Sequence, residues 1–272
     1  MSKILLSKIK LDELYRETIT LAAYAKNMQK DIIRYYKEDG SVLTKTDTEI
    51  SKRIIEKVNT LFPECNIISE ENITPFNREA PFTFILDPID GTDIYSQGLP
   101  SFAISIGILN KEREAVGAII IAPRFGIGKE ELRVRLDPYK DLYIDDMPYN
   151  NIQLSDFPKQ ITISSKLQKQ INFDNYKGKF RTFGSSILQI LAPAIFSNIS
   201  GCINQRAFAW DIASSHAVLN KLNIKMVYPN KEEIIYDDDL LINRKLTKDI
   251  IYCGSEKGID ILIETLPQKV KN

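Results

Sequence analysis

Two aspartates, Asp87 and Asp90, are followed at once by Gly91 and Thr92, and all four stand at the end of an apolar run, Phe82-Thr83-Phe84-Ile85-Leu86. Such a run lacks the three-to-four-residue spacing of an amphipathic helix and reads as a buried strand. Pro88 fixes its own φ and biases Asp87 toward an extended backbone. Gly91 permits a tight turn and leaves its amide uncovered by a side chain. Two carboxylates at the mouth of a sheet, beside exposed N–H groups, are the expected result. Mg²⁺ takes oxygen ligands, usually one or two carboxylates plus substrate phosphate oxygens. Backbone amides in a turn or at a helix start receive phosphate. The chemistry on offer is therefore metal-dependent phosphate chemistry. The plainer reading is an ordinary turn, because Asp, Pro and Gly dominate turns for local reasons.

Three other stretches bear on the choice: Leu43-Thr44-Lys45-Thr46-Asp47, Ile68-Ser69-Glu70-Glu71 and Trp210-Asp211-Ile212-Ala213. With Asp87-Pro88-Ile89-Asp90-Gly91-Thr92, and in this order, they resemble the signature of the inositol monophosphatase-like, lithium-sensitive Mg²⁺ phosphatases. The resemblance runs from about residue 8 to residue 265. It implies one Mg²⁺ on Glu70, Asp87 and the carbonyl of Ile89, and a second on Asp87, Asp90 and Asp211. A third, weaker ion near Glu70 follows by analogy. Asp47 and Thr92, with Glu70, would form the catalytic group that orients a water. The Gly91 and Thr92 amides would hold the phosphate. Asp90, Asp93, Gly184, Ser185, Asn204, Arg206 and Asp211 would face the substrate.

The implied activity is that of a Mg²⁺-dependent phosphoric monoester hydrolase, acting on an inositol monophosphate-like or sugar phosphate metabolite by metal-activated water. The alternatives are an adenosine 3′,5′-bisphosphate or fructose bisphosphate phosphatase, or a relative that binds phosphorylated ligands without catalysis. A homodimer is expected. Inositol-specific relatives carry a glutamate where this chain has Asn204, and a threonine where it has Asp93. Arg206 either meets a second phosphate or pairs with a surface acid.

Composition narrows the classes. Lys plus Arg and Asp plus Glu number 36 each, so no excess charge calls for nucleic acid or a membrane surface. No apolar run has membrane-spanning length, and Met1 to Leu11 lacks a secretory apolar core, so the start reads as mature protein. Cys65, Cys202 and Cys253 are odd in number and far apart, which suits reduced core thiols and a cytoplasmic address. The single histidine, His216, excludes any multi-histidine metal site. It reads as a half-buried residue of a helix rather than as a triad base.

The elements that must position these groups alternate in blocks, which predicts an α+β fold, a layered α/β sandwich with alternating helix and sheet layers. The resemblance sharpens this to the sugar/inositol phosphatase type, with the site between two halves. The first half, residues 1–150, would carry most metal ligands, and the second, 151–272, would complete the site. Helices are expected over 7–36, 47–61, 184–196, 210–222 and 256–266, with Asp47 and Asp211 in first turns where acids also serve as caps or dipole partners. Strands are expected at 66–69, 82–86, 101–109, 115–121, 160–164, 179–183, 201–205 and 250–253. The Gly184-Ser185-Ser186 start suits an oxygen-rich ligand. Tyr236-Asp237-Asp238-Asp239 reads as a charged turn. Residues 122–150 fit the family pattern least, and Gly126-Ile127-Gly128-Lys129 lacks the spacing of a P-loop.

Overall fold

The computed structural model describes residues 6–126, 128–150 and 154–269. The helices are α1 (Lys8–Met28), α2 (Lys45–Leu61), α3 (Thr92–Ser96), α4 (Ser186–Ile195), α5 (Ala213–Lys221), α6 (Asp238–Leu241) and α7 (Glu256–Thr265). A hairpin of β1 (Arg34–Tyr36) and β2 (Val42–Thr44) stands apart from two larger sheets. The first sheet has seven strands in sequence order: β3 (Asn66–Ser69), β4 (Phe82–Asp90), β5 (Ala103–Asn110), β6 (Ala115–Ala122), β7 (Leu132–Leu136), β8 (Leu142–Ile144) and β9 (Met147–Tyr149). The second is built from β10 (Gln160–Ile163), β11 (Lys179–Arg181), β12 (Gly201–Asn204), β13 (Lys225–Val227) and β14 (Ile251–Gly254), in the order β11-β10-β12-β14-β13.

Side chains on a strand alternate between faces, and that alternation builds the layers. Phe82, Phe84 and Leu86 of β4 join the apolar cluster of α1 and α2. Ile85 points the other way, into a cluster that also takes Ile187, Leu191 and Val218 from α4 and α5. Beyond the second sheet, Ile161, Ile203 and Tyr252 pack on Leu262 of α7. Helices and sheets thus alternate in an α+β sandwich, as expected. α5 lies very close to the first sheet. A Cβ on Gly107 of β5 would come within 2.6 Å of Ala213 Cβ, so only glycine allows this approach.

Several expectations need correction. The first helix stops at Met28, and Tyr35 and Tyr36 after it lie in β1, as the preference of aromatic residues for extended backbone favours. Lys37 to Ser41, just past the end expected for that helix, is the hairpin turn, with Gly40 at φ 80°. Within 122–150, for which no strand was expected, Leu132, Val134 and Leu136 alternate with arginines along β7 and extend the sheet away from β4. Asp237 caps the short helix α6, so 236–239 is not a simple turn, and Tyr236 is buried. Cys202 and Cys253, distant in sequence, face each other across β12 and β14 as free thiols. His216 is 8% exposed rather than half-buried, and its Nδ1 lies 3.1 Å from the Tyr236 hydroxyl. The expected boundary near residue 150 falls partly on 151–153, outside the described residues.

Candidate active site

On β4, Asp87 has the parity of Ile85 and so points between the sheets. Its pairing with β5 is regular up to Asp87↔Ser105, then shifts before Asp90↔Ala103. This irregularity turns Asp90 to the same side. Asp211 comes from the second half. It sits in the turn before α5, not in the helix's first turn as expected, because its carboxylate accepts the Phe208 amide at 2.8 Å and closes that turn. Oxygens of Asp87, Asp90 and Asp211 lie within 4.8 Å of one another.

Asp90 is also the internal ligand of α4. It accepts hydrogen bonds from the Ser185 hydroxyl, the Ser186 amide at 3.1 Å and the Ile187 amide at 2.8 Å. The helix start expected to face an oxygen-rich ligand therefore receives one from the chain itself. Ser185 Oγ in turn accepts the Leu188 amide, which makes it the N-cap. Gly184 precedes it, packed on Ile94 of α3.

Asp47 lies deeper. The helix α2 starts two residues earlier than expected, with Thr44 as N-cap and Asp47 closing a capping box. Oδ2 accepts the Thr44 amide at 3.0 Å, and Oδ1 accepts the Thr92 hydroxyl at 3.0 Å. Thr92 Oγ is also 2.9 Å from the Ile89 carbonyl. Gly91, at φ 90°, is the left-handed residue that turns β4 into α3, a conformation glycine adopts without strain. Asp93 follows on the exposed first turn of α3.

Glu70 and Glu71 leave the end of β3. The Lys37 ammonium, carried by the β1–β2 turn, bridges them at 2.8 Å each. Burial works against this charge, but the two glutamates outweigh it and hold the Lys37 pKa above its usual value. Two further expected residues are engaged elsewhere. Asn204 is fully buried, with its amide 3.3 Å from the Gln205 carbonyl and its oxygen 3.5 Å from Gln189. Arg206 is exposed and donates its Nε to the Thr247 carbonyl at 2.7 Å. Lys37 and Arg244 belong to no sequence motif: Lys37 lies just past the expected first helix, and Arg244 in no pattern at all.

Burial and neighbouring charge set the electrostatics of this arrangement. Burial is the main cause that lifts every aspartate of the cluster above the usual 3.8. Asp47 and Asp90 rise to about 7, and Asp211 to about 8. Asp87 rises well above its usual value through burial and the charges of Glu70, Asp90 and Asp211. Asp87 Oδ1 is the one buried side-chain oxygen or nitrogen without a hydrogen-bond partner among the described residues. Hard oxygen donors, mutual repulsion and an orphaned carboxylate oxygen fit a hard divalent cation.

The family model of the "Inositol monophosphatase family" matches residues 10–257. The chain belongs to the inositol monophosphatase family. It is 26% identical over 261 residues to the fructose-1,6-bisphosphatase/inositol-1-monophosphatase of Methanocaldococcus jannaschii, covering 89% of this chain and 96% of that one. Over 201 residues it is 24% identical to the Nus factor SuhB of Pasteurella multocida, covering 70% and 73% of the two chains. The fold is shared with an IMPase/NADP phosphatase solved with Mg²⁺ and phosphate, at a TM-score of 0.75 and 16% identity, over 93% of this chain and 94% of that one. Within this family the chain is a phosphatase.

The raised carboxylates make a signed prediction. Between the unfolded value of 3.8 and folded values of about 7 to 8, the folded chain holds more protons than the unfolded one. Its stability then falls as pH rises through that window. His216, lowered to about 4 by burial, acts in the opposite sense, but its contribution is nearly complete above its usual 6.5. In chelator, the melting temperature should drop between about pH 6.5 and pH 8, the part of that window above the His216 contribution, and saturating Mg²⁺ should flatten the slope. Calorimetric scans at several pH values test this, and a rise across the same range in chelator contradicts it.

Proposed function

We propose that the chain is a Mg²⁺-dependent phosphomonoesterase that hydrolyses a small phosphorylated metabolite, an inositol monophosphate-like or sugar phosphate, with water as nucleophile. The observation that carries this reading is the unpartnered Asp87 oxygen, buried where Asp90 and Asp211 converge. Glu70, Asp87 and the Ile89 carbonyl would hold one ion, and Asp87, Asp90 and Asp211 a second, with a third, weaker one near Glu70. When bound, the cation supplies Lewis-acid polarisation of the phosphate and a more acidic water.

The chain's own residues supply the rest. With its proton donated to Asp47, the Thr92 hydroxyl keeps lone pairs that accept from a water and aim it at phosphorus. Asp47, raised to about 7 and fully buried, has a proton affinity near neutrality, suited to taking the proton passed through Thr92. Gly91 and Thr92 present amides at the start of α3 to phosphate oxygens. Phosphoryl transfer asks chiefly for such positioning and charge neutralisation.

Asp93 and Arg206 stand at exposed positions, where they would sort substrates by the body of the ester. Asn204 would act on the substrate only through its neighbours, being fully buried. Ser185 would serve by holding Asp90 in place, and Gly184, at φ 81°, by turning the chain into that cap. The same reading gives a cytoplasmic homodimer with halves 1–150 and 151–272.

A panel of phosphate esters tests the proposal, including inositol monophosphate, fructose bisphosphate and adenosine 3′,5′-bisphosphate. Phosphate release should require Mg²⁺ and stop with chelator. Full activity in metal-free buffer, or none on any ester with Mg²⁺, would sink it.

A further inference from the structure

We propose that Arg244 is a positioning residue of this site, one that locks the backbone bearing Glu70 to the turn bearing Asp211; the inference rests on the metal-dependent reading above. The Arg244 guanidinium donates to the carbonyls of Ser69 at 2.9 Å, Glu70 at 2.6 Å and Asn72 at 3.2 Å. Its carbon also sits 4.6 Å from the centre of the Trp210 ring. Trp210 precedes Asp211 and stacks on Phe208 at 4.7 Å, and the Phe208 amide is the donor to Asp211. One side chain therefore touches both ligand-bearing segments, which are 141 residues apart from Glu70 to Asp211 (211 − 70).

The chemistry requires arginine. A planar guanidinium offers five donors in a rigid fork and a face that stacks on indole, whereas a lysine ammonium is a point charge on a flexible stem. Other contacts fix different parts of the same turn. Lys37 holds the glutamate side-chain ends, and the Ser51 hydroxyl donates to Asn72 Oδ1 at 2.7 Å. Only Arg244 reaches from the second half of the chain to these carbonyls among the described residues.

The backbone carries a matching signal. Arg244 is at φ 52°, a left-handed conformation unusual for a residue with a side chain. Such strain persists where surrounding contacts over-determine it, and it gathers at functional sites. The flanking residues are anchored to α6, with the Asn243 amide on the Asp238 carbonyl and the Lys245 amide on the Asp239 carbonyl. Asp238 in turn pairs with Arg78 and Arg113 of the first half. The α6 segment thus holds Arg244 across the cleft as a brace.

The test compares full-length wild type with Arg244→Lys and Arg244→Ala by Mg²⁺ calorimetry, melting in chelator, and steady-state kinetics at graded Mg²⁺. Outer residues that orient metal ligands alter affinity by about 10–100-fold. Arg244→Lys should weaken Mg²⁺ binding by about tenfold or more, while its melting temperature in chelator stays near wild type. The Mg²⁺ concentration for half-maximal rate should rise in step, with the rate at saturating Mg²⁺ largely kept. Millimolar guanidinium should restore part of the Mg²⁺ affinity of Arg244→Ala. If that variant does not fold, Arg244→Lys decides. Wild-type Mg²⁺ affinity in Arg244→Lys overturns the proposal, as does a lowered melting temperature with unchanged affinity, the mark of a merely structural arginine. If wild type itself fails to bind Mg²⁺, the metal-dependent reading falls first and this inference with it.

Discussion

Replacing Asp87 by asparagine is expected to abolish Mg²⁺ binding and turnover while raising the melting temperature of the metal-free protein. The two effects have one origin. Asp87 is 1% exposed, has an unpartnered oxygen, and faces Asp90, Asp211 and Glu70. Without a cation, a carboxylate there suffers both desolvation and repulsion. An amide of the same shape removes the charge and offers N–H donors to its acidic neighbours. With the cation, the balance reverses, because asparagine cannot supply the anionic oxygens that two metal sites would share. A ligand at a hundredfold excess over its dissociation constant stabilises a fold by about 2.7 kcal/mol, and the variant should lose that increment. Turnover should fall by about a thousandfold or more, since metal ions contribute several kcal/mol of transition-state stabilisation. Melting curves with and without Mg²⁺, together with phosphate release, check both arms. A metal-free melting temperature below wild type would mean that Asp87 is held by contacts other than those seen.

Thr92→Ala should show the opposite profile. Thr92 contributes a hydroxyl between Asp47 and the Ile89 carbonyl and no charge. Its loss leaves the carboxylate cluster intact, so calorimetry should return Mg²⁺ affinity near wild type. Turnover should fall by about 10²–10⁴-fold, the usual contribution of a positioned proton-transfer group. Thr92→Ser, which keeps the hydroxyl, should recover most of it. If Thr92→Ala loses Mg²⁺ as completely as Asp87→Asn, the division between ligands and water-orienting pair is wrong.

What could be read in the sequence was whatever local chemistry dictated. The apolar run into Asp87-Pro88-Ile89-Asp90-Gly91 marks a strand, its acids and a tight turn within a dozen residues, so these are legible, while the extension of β4 from 86 to Asp90 and its shift in pairing are not. The helix opening at Gly184-Ser185-Ser186 is equally plain, because Ser185 lies next to the helix it caps. The start of α2 was misplaced by two residues because Asp47 looks like a cap, while the true cap, Thr44, is recognised only with its partner three positions on. The alternation of Leu132, Val134 and Leu136 with arginines marks a strand, but it stands where the family pattern fits least and is not among the expected strands. Lys37 and Arg244 had no local signature. Each matters through partners 33 and 174 residues away, a relation that only the fold creates.

Trp210 is the only tryptophan of the chain, and it lies in the turn that carries Asp211. It is 5% exposed, layered between the Phe208 ring and the Arg244 guanidinium. The indole fluorescence of this protein is therefore the emission of a single site, with no background from other tryptophans. A cation settling on Asp211, or a substrate shifting the turn beside it, as proposed, would change the surroundings of that indole. Binding at the acid cluster would thus be followed optically, in real time and without a label.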